Sequence, residues 1–474
     1  MGRVSEAADL IRRQAENDGL IHVVSHLDAD GLAAAGVISK ALTRLDATFR
    51  ARIEKWIDDK VVDAISADKP SLIIFTDFGS GDLDLLNSRL GGHQLIILDH
   101  HQPVGEANPS FVHVNPHLYG IDGSRDLSGA GTAYLVAKAI DKANVDLACV
   151  AVVGALGDMQ DKYEQRRLSG PNTIIVEDAV NAGYLNIETD LLFFGRETRP
   201  IHKALAGTTN PFIVGISGEE DKSLAFLASL GITPKHGDKW RALRDLSEDE
   251  KKKLFNALVD YLLSKGFTAD SALSLRGNVY ILAHEEPWTP LRDAREFSVL
   301  LNATGRMDKP GLGVAICMGD RGSALQESTA VLEEYRRTIM KYLNWLMEPE
   351  TGRIEELSNI YVVRGESVIH EKMIGTISSV LSTSLPKLEK PIIAYSLVPE
   401  EKLAKISARA LDLLTNKGLN LGEILRIAAE KYAGRGGGHN VAAGAQVSIE
   451  HMEAFLKLIN ELVKKQQEAT PIGG

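Results

Sequence analysis

The sequence predicts an α/β protein. It begins with a doubly wound parallel-sheet domain, which is followed by a mainly helical middle insertion, a long connecting helix and a C-terminal α/β domain. Three observations predict it. Over the first 160 residues, short β-branched apolar runs alternate with helical segments, the pattern of a parallel sheet covered on both faces. Between Ser323 and Met347 apolar residues recur at three- and four-residue spacing without a break. After Asn359 strand-like runs return and end in a terminal helix. The length of 474 residues suits about three domains.

The elements follow in order. Leu20–Ser25 (LIHVVS), Ser71–Phe75 (SLIIF) and Gln94–Leu98 (QLIIL) read as buried strands, and Ala33–Leu42, Asp82–Leu90 and Ala130–Ile140 as helices. Leu147–Val153 supports either type and reads better as helix. From Asn172 to Gly215 short apolar runs mix with helices, and residues 219–265 are helical, with SEDEKKK as a solvated helix start. NVYILA at Asn278–Ala283 is a strand, and VAICM at Val314–Met318 is strand-like. Ser323–Met347 predicts one helix about 37 Å long, ended by Pro349 and Gly352. IYVVRG, PIIAYS and AKISARA read as strands, and Met452–Gln466 as a helix. The expected domains are residues 1–200 and 291–322 for the parallel-sheet domain, 201–290 for the insertion, 323–348 for the connecting helix and 349–474 for the C-terminal domain.

Composition narrows the class. Apolar residues make up 44% and charged residues 25%, which is ordinary for a globular chain. The longest apolar stretch, Leu147–Leu156, is half a membrane span, and the N-terminus lacks an apolar signal core. A cytoplasmic protein is expected. Two cysteines, Cys149 and Cys317, lie far apart in apolar contexts, as core thiols do. The net charge of −11 argues against a generally adhesive nucleic-acid binder but leaves room for a local basic groove.

Polar residues collect just past the apolar runs. Ser25-His26-Leu27-Asp28-Ala29-Asp30-Gly31 follows the first strand, Thr76-Asp77-Phe78-Gly79 the second and Asp99-His100-His101-Gln102-Pro103 the third, with Gly157-Asp158 later. In a doubly wound sheet these positions share the rim where ligands bind. One such aspartate is an ordinary helix cap, but four segments on one rim are not. Gathered carboxylates repel unless cations sit among them. Oxygen donors with some imidazole suit Mn²⁺ and Mg²⁺, and more imidazole favours Zn²⁺. Two ions would clamp a phosphoryl group for hydrolysis, and no serine or cysteine elbow is present. The residues alone point to a two-metal phosphoester or phosphoanhydride hydrolase. Farther on, the GRGGGH stretch lacks the Lys-Ser/Thr pair of a nucleotide phosphate loop. Its exposed amides beside Arg435 and His439 can cradle a phosphate, or it is a tight surface turn. Ser407 and Arg409 alternate along one strand and share a face.

HLDADG, TDFG, DHHQP and GALGD resemble the four motifs of the DHH phosphoesterase superfamily, and GRGGGHNVAAGA resembles the signature of its C-terminal nucleic-acid-binding domain. The combination resembles the RecJ-like single-strand exonucleases, most closely the archaeal branch that includes the GINS-associated nuclease. The resemblance implies one metal held by Asp28 and Asp77 with His26 as ligand or close supporter. It implies a second held by Asp30, Asp77, His100 and Asp158. His101 would touch the scissile phosphate, and Asp99 would orient its neighbours. Mn²⁺ is the implied cofactor, two ions per site, with Mg²⁺ as substitute and Zn²⁺ disfavoured. Arg409, Arg435, Gly436, Gly437, Gly438 and His439 would contact backbone phosphate without reading sequence.

The implied activity is end-directed hydrolysis of single-stranded DNA, 5′ to 3′ as in the bacterial relatives, with single-stranded RNA a second substrate, in replication or repair. The sequence departs from bacterial RecJ in showing no oligonucleotide-binding-fold segment. Its helical middle region instead resembles the inserted domain through which archaeal relatives and the eukaryotic helicase subunit join the replicative helicase complex and GINS. Two alternatives stand beside this reading: a phosphoesterase acting on short oligoribonucleotides or small nucleotides, and a structural subunit of a helicase complex.

Overall fold

The apolar runs of the first 115 residues pair into one parallel sheet. A computed structural model describes residues 2–208, 213, 215–348, 352–384, 389–415 and 417–469. The strands are β1 (Ile21–His26), β2 (Phe49–Glu54), β3 (Leu72–Thr76), β4 (Leu95–Leu98) and β5 (Val112–Val114), in the order β2-β1-β3-β4-β5. Every pairing is parallel, with Val23 opposite Ile74 and Phe75 opposite Ile97. β3 and β4 are buried throughout, which is why they read as unbroken apolar runs. β2 and β5 escape such a reading. β2 is an edge strand whose FRARIE is only half-buried, and β5 is three residues long.

Helices cover both faces. α3 (Asp59–Ala67) and α4 (Leu83–Leu90) pack Val62, Ile65, Leu86 and Leu90 against Ile73, Phe75 and Ile97. α1 (Gly2–Glu16), α2 (Ala29–Arg44) and α5 (Gly129–Ile140) lie on the other face. Behind them come α6 (Ala148–Gly157) and α7 (Pro171–Asn181). Nearly all of α6 is buried. A helix that is apolar all round belongs inside a helical layer.

The chain leaves this region along β6 (Leu185–Leu191) and returns along β9 (Arg276–Leu282), which pair antiparallel from Leu185–Leu282 to Leu191–Arg276. This ribbon brackets a body built of α8 (Ile201–Ala206), α9 (Glu220–Ser229), the hairpin β7 (Lys235–His236) and β8 (Lys239–Trp240), α10 (Glu248–Ser264) and α11 (Ala269–Leu273). Its separate core contains Leu205, Leu227, Leu243, Leu254, Leu258 and Leu262. Ser247 starts α10 by a capping box, accepting from Glu250 N while its own N–H donates to the Glu250 carboxylate.

α12 (Ala294–Arg306) and α13 (Pro310–Cys317) then pack against α2. The strand-like VAICM is therefore helical: Pro310 opens a helix at its first turn, and burial between helices overrides the β-branched residues. α14 (Ser323–Leu346) is one continuous helix of 24 residues. Pro349 lies outside the described residues.

Two compact units divide within α14, one reaching Leu332 and the other starting at Glu333. The second unit holds β10 (Ile354–Glu356), β11 (Tyr361–Arg364), α15 (Ile374–Ser384), β12 (Ile392–Val398), β13 (Leu403–Arg409), α16 (Asp412–Thr415), α17 (Leu421–Lys431), β14 (Arg435–Gly438), β15 (Ala442–Ser448) and α18 (Met452–Ala469). Its sheet runs β10-β11-β12-β13-β15-β14. α17 and α18 bury Ile424, Leu425, Phe455 and Ile459 against Ile393, Ala404, Ile406 and Ala408. Among the described residues no helix is long and apolar enough to cross a membrane.

The packing of α2 on α13 depends on Gly36, where a Cβ would lie 2.2 Å from Cys317 Cβ. Gly36→Ala should lower stability by about 1–3 kcal/mol through overpacking, read by urea unfolding. Adding Cys317→Gly should recover part of the loss. An unchanged midpoint in the single variant would contradict this contact.

Candidate functional site

Three strands of the parallel sheet, β1, β3 and β4, deliver polar residues at their carboxyl ends. β1 ends in His26, and Asp28 caps α2 by accepting from Gly31 N at 3.1 Å. Asp30 sits in the first turn of α2, fully buried, and its oxygens accept from Gly129 N at 2.6 Å and Ala130 N at 3.0 Å. Those two N–H groups open α5, so Asp30 meets the positive end of a helix. Asp77 follows β3 with φ +63°, a left-handed conformation that aspartate tolerates better than most residues. Asp99 and His100 follow β4, and Asp158 closes α6.

These residues converge. His100 Nε2 lies 3.2 Å from Asp77 Oδ1, 3.2 Å from Asp158 Oδ2 and 3.7 Å from Asp30 Oδ2. His26 Nδ1 lies 3.0 Å from Asp28 Oδ2 and 3.8 Å from Asp77 Oδ2. Donor atoms of Asp30, Asp77, His100 and Asp158 all fall within 4.8 Å of one another, as do those of His26, Asp28 and Asp77. A third set, Asp77, Asp99, His100 and His101, meets the same distance, and Asp77 belongs to all three. It is 1% exposed, and neither of its carboxylate oxygens has a hydrogen-bond partner of good geometry. α5 approaches it so closely that a Cβ on Gly129 would lie 2.6 Å from Asp77 Oδ1.

The electrostatics follow from this crowding. Burial, reinforced by the charges of Asp30 and Asp28, raises Asp77 well above the usual carboxylate range. Burial and then Asp158 push Asp30 up to about 6. Burial alone would raise Asp28, but the attraction and hydrogen bond of His26 hold it low. Burial would also lower His100, and Asp158 and Asp77 outweigh that to raise it well above an ordinary imidazole. A cluster that keeps buried carboxylates partly protonated is short of positive charge. Two divalent ions sharing Asp77 would supply it, and the carboxylate-rich donor set suits Mn²⁺ or Mg²⁺.

Asp99 and His101 are arranged differently. Asp99 is fully buried and accepts from Ser80 N at 2.8 Å, His100 N at 2.7 Å, His101 N at 3.1 Å and the His101 ring Nδ1 at 2.8 Å. These bonds engage both Asp99 oxygens. Asp99 holds the His101 ring, whose side chain is 41% exposed at the rim. Sequence reasoning missed the groups that brace this pair. Ser80 Oγ lies 2.9 Å from His113 Nε2, and Asn115 Nδ2 donates to Ser80 Oγ and to His101 O. The sequence signal was His113, a polar residue inside the strand run VHV at the same rim. Arg306, the last residue of α12, was also missed. Its charge acts on Asp28 and His26.

In the second unit the glycine-rich stretch is a strand, not a turn. β14 pairs with β15, and β15 with β13, so that Gly437, Gly444 and Ser407 stand in one row. Arg435, Gln446 and Lys405 form the row on one side, and Ala442 and Arg409 extend the other. Alternation puts Ser407, Arg409, Arg435 and Gly437 on one face. Gly436 faces α17, where a Cβ would lie 2.5 Å from Leu425 O. α15 edges the open face: Ser378 Oγ lies 2.9 Å from Ser407 Oγ, and Arg409 Nε donates to Ser379 Oγ at 2.8 Å. His439 continues past β14, its N–H donating to Ala442 O. On this face Ser407 and Lys405 are buried, Lys405 paired with Glu401, while Arg435 is exposed.

A carboxylate whose pKa rises on folding costs stability above its unfolded value. For Asp30 that cost is complete above about pH 6 and fades toward the ordinary carboxylate value of 3.8. Through this group the metal-free protein should therefore gain stability as pH falls from about 7 to about 5, measured by thermal melts in EDTA. Asp77→Asn should raise the metal-free melting temperature. Mn²⁺ at about 100 times its dissociation constant should stabilise the parent by about 2.7 kcal/mol and leave the variant unmoved. A variant stabilised as much as the parent would count against a shared ion.

Comparison with known proteins places this geometry in context. Residues 20–155 match the DHH family N-terminal domain, residues 193–275 the DHH-CID domain and residues 359–465 the DHHA1 domain. The chain is 33% identical over 455 residues to uncharacterized protein MJ0831 of Methanocaldococcus jannaschii, covering 94% of each. It is 27% identical over 278 residues to the putative single-strand DNA-specific exonuclease YorK of Bacillus subtilis, covering 54% of this chain and 47% of that one. It is 25% identical over 173 residues to the single-stranded-DNA-specific exonuclease RecJ of Haemophilus influenzae, covering 34% and 28%. Among solved structures, Mn²⁺-bound RecJ from Thermus thermophilus has a TM-score of 0.59 at 18% identity, over 98% of this chain and 55% of that one. CDC45 from Entamoeba histolytica has a TM-score of 0.65 at 12% identity, over 97% and 98%. Joined with the parallel-sheet rim and its carboxylate cluster, these matches establish that the chain belongs to the DHH phosphoesterase superfamily, in its RecJ-like form.

Proposed function

We propose that this chain is a two-metal exonuclease that hydrolyses phosphodiester bonds of single-stranded DNA from an end, 5′ to 3′, and takes single-stranded RNA as a second substrate. One observation carries the reading: two groups of potential ligands share the buried carboxylate of Asp77, and its oxygens have no hydrogen-bond donor of good geometry. Asp28 and Asp77, with His26, would hold one ion, and Asp30, Asp77, His100 and Asp158 the other. Two bound ions would activate a water and neutralise charge building on the phosphate oxygens.

The chain's own residues do the rest. Asp99 holds Nδ1 of His101, so Nε2 is the atom that would meet a non-bridging phosphate oxygen. Asp30 is kept in place by two N–H groups of α5. Ser407, Arg409, Arg435 and Gly437 would grip the strand by its backbone, with Gly438 and His439 at the end of β14, while Gly436, turned to α17, would offer its main chain alone. Small residues let the backbone approach, and Arg435 and Arg409 supply charge. A face with these groups positions a strand without selecting its sequence, which suits work in replication or repair.

A second reading concerns partners. The chain shares its fold with CDC45 over 97% of its length. We place the association with GINS and the replicative helicase complex on the insertion at residues 201–290, which has a core of its own.

The deciding experiment follows end-labelled single-stranded DNA and RNA, from dinucleotide to long oligomer, with Mn²⁺, Mg²⁺ or EDTA. Stepwise shortening of long strands from the 5′ end, lost in EDTA, is expected. Asp77→Ala should lower the rate by about 10²–10³-fold or more. Turnover confined to the shortest substrates would replace this reading with an oligonucleotide or small-nucleotide phosphoesterase. No turnover with any ion would leave a structural role.

A further inference from the structure

Behind His100 lies a chain of buried amides that the chemistry at phosphorus does not use. His100 Nδ1 lies 2.6 Å from Gly123 O, and Gln160 Nε2 donates to the same oxygen at 2.8 Å. Gln160 Oε1 in turn accepts from Asn172 Nδ2 at 2.6 Å. Gln160 is 0% exposed and Asn172 2%. Gln160 stands two residues past Asp158, and Asn172 lies in the first turn of α7, where its own N–H donates to Asp126 O. The segment carrying Gly123 is pressed against the site: a Cβ there would lie 1.9 Å from His100 O.

The order of donors fixes every orientation. A backbone carbonyl can only accept, so both groups facing Gly123 O must present N–H. The His100 Nδ1 therefore carries a proton, and once an ion displaced the Nε2 proton, the Nε2 lone pair would face that ion among Asp77 and Asp158. Gln160 must present its NH₂ to Gly123, and it does so because Asn172 presents NH₂ to its oxygen. Reversing one amide would place oxygen against oxygen in a dry site, which costs far more than losing a bond at the surface.

We infer that Gln160 and Asn172 are positioning residues for the ion at Asp30, Asp77, His100 and Asp158. Asn172 sets the orientation of the Gln160 amide, and Gln160 anchors the carbonyl that aims the His100 ring. Neither residue touches metal or substrate. The inference rests on the proposed metal centre and extends it two residues deeper. Partners of this kind, behind a metal-binding imidazole, set both the tautomer and the ring direction.

The test is the Mn²⁺ dissociation constant of the full chain, titrated calorimetrically at a temperature where circular dichroism shows each variant folded. Asn172→Asp keeps the shape but replaces the donor by an acceptor, so the Gln160 amide turns over and loses its bond to Gly123. Gln160→Met removes both bonds at similar volume. Asn144→Asp makes the same swap at another buried asparagine, 1% exposed, whose Nδ2 donates to Ala137 O. Asn172→Asp and Gln160→Met should each weaken Mn²⁺ binding about 10- to 100-fold, and Asn144→Asp less than about twofold. Parental affinity in folded Asn172→Asp and Gln160→Met, or equal weakening by Asn144→Asp, would overturn the inference. A parent chain that binds no Mn²⁺ would instead overturn the metal centre itself, and this extension with it.

Discussion

The first unit is organised around a repulsion. Asp28, Asp30, Asp77 and Asp158 crowd one rim of the parallel sheet, and Asp30 and Asp77 are almost wholly buried. Buried like charges are unfavourable without compensation. The fold compensates in part. The first N–H groups of α5 point at Asp30, an N–H of α2 at Asp28, and His26 and His100 stand among the carboxylates. Neither oxygen of Asp77 receives a hydrogen bond of good geometry. Much nearby structure serves this arrangement, including the left-handed backbone of Asp77 and the glycine that lets α5 come so near.

The parallel topology makes the crowding possible. Parallel strands all end at the same edge, so residues separated by dozens of positions arrive together. His26, Asp77 and His100 come from three adjacent strands, β1, β3 and β4. Asp158 arrives from a helix, because it closes α6, which packs against α2 and α5. The second unit solves a different problem. Its antiparallel sheet lays alternate residues of β13, β15 and β14 in rows, and glycine and serine keep the middle row low while arginine and lysine line its sides. Alternation thus puts small residues and Arg435 on one face of the sheet.

Legibility varied with how much of each element's reason was local. β3 and β4 were plain in the sequence because both faces are buried. β2 was hidden by Arg50 and Arg52 on an edge strand, and β5 by its length. Val314–Cys317 misled because helical packing, not propensity, decided it. Arg435–Gly438 suggested a turn, since glycine weakens a strand unless something must approach it closely, and that condition is invisible without β15. The residues of the rim were legible because polar side chains at the ends of apolar strands are conspicuous. Ser80, Asn115, Gln160 and Asn172 were not, because their roles lie wholly in partners distant along the chain.

The sequence by itself determined the alternation of strands and helices, the rim residues and the kind of ion they would attract. Each of these depends on hydrophobic periodicity or on the chemistry of one side chain, which a linear string preserves. Only the tertiary structure decided that Asp77 lies in every candidate ligand group, that Asp99 spends its oxygens on hydrogen bonds, and that the glycine-rich stretch is a strand. Those facts depend on distances of a few ångströms between residues far apart in the chain. Such distances arise when helices and strands pack, and no local pattern encodes them.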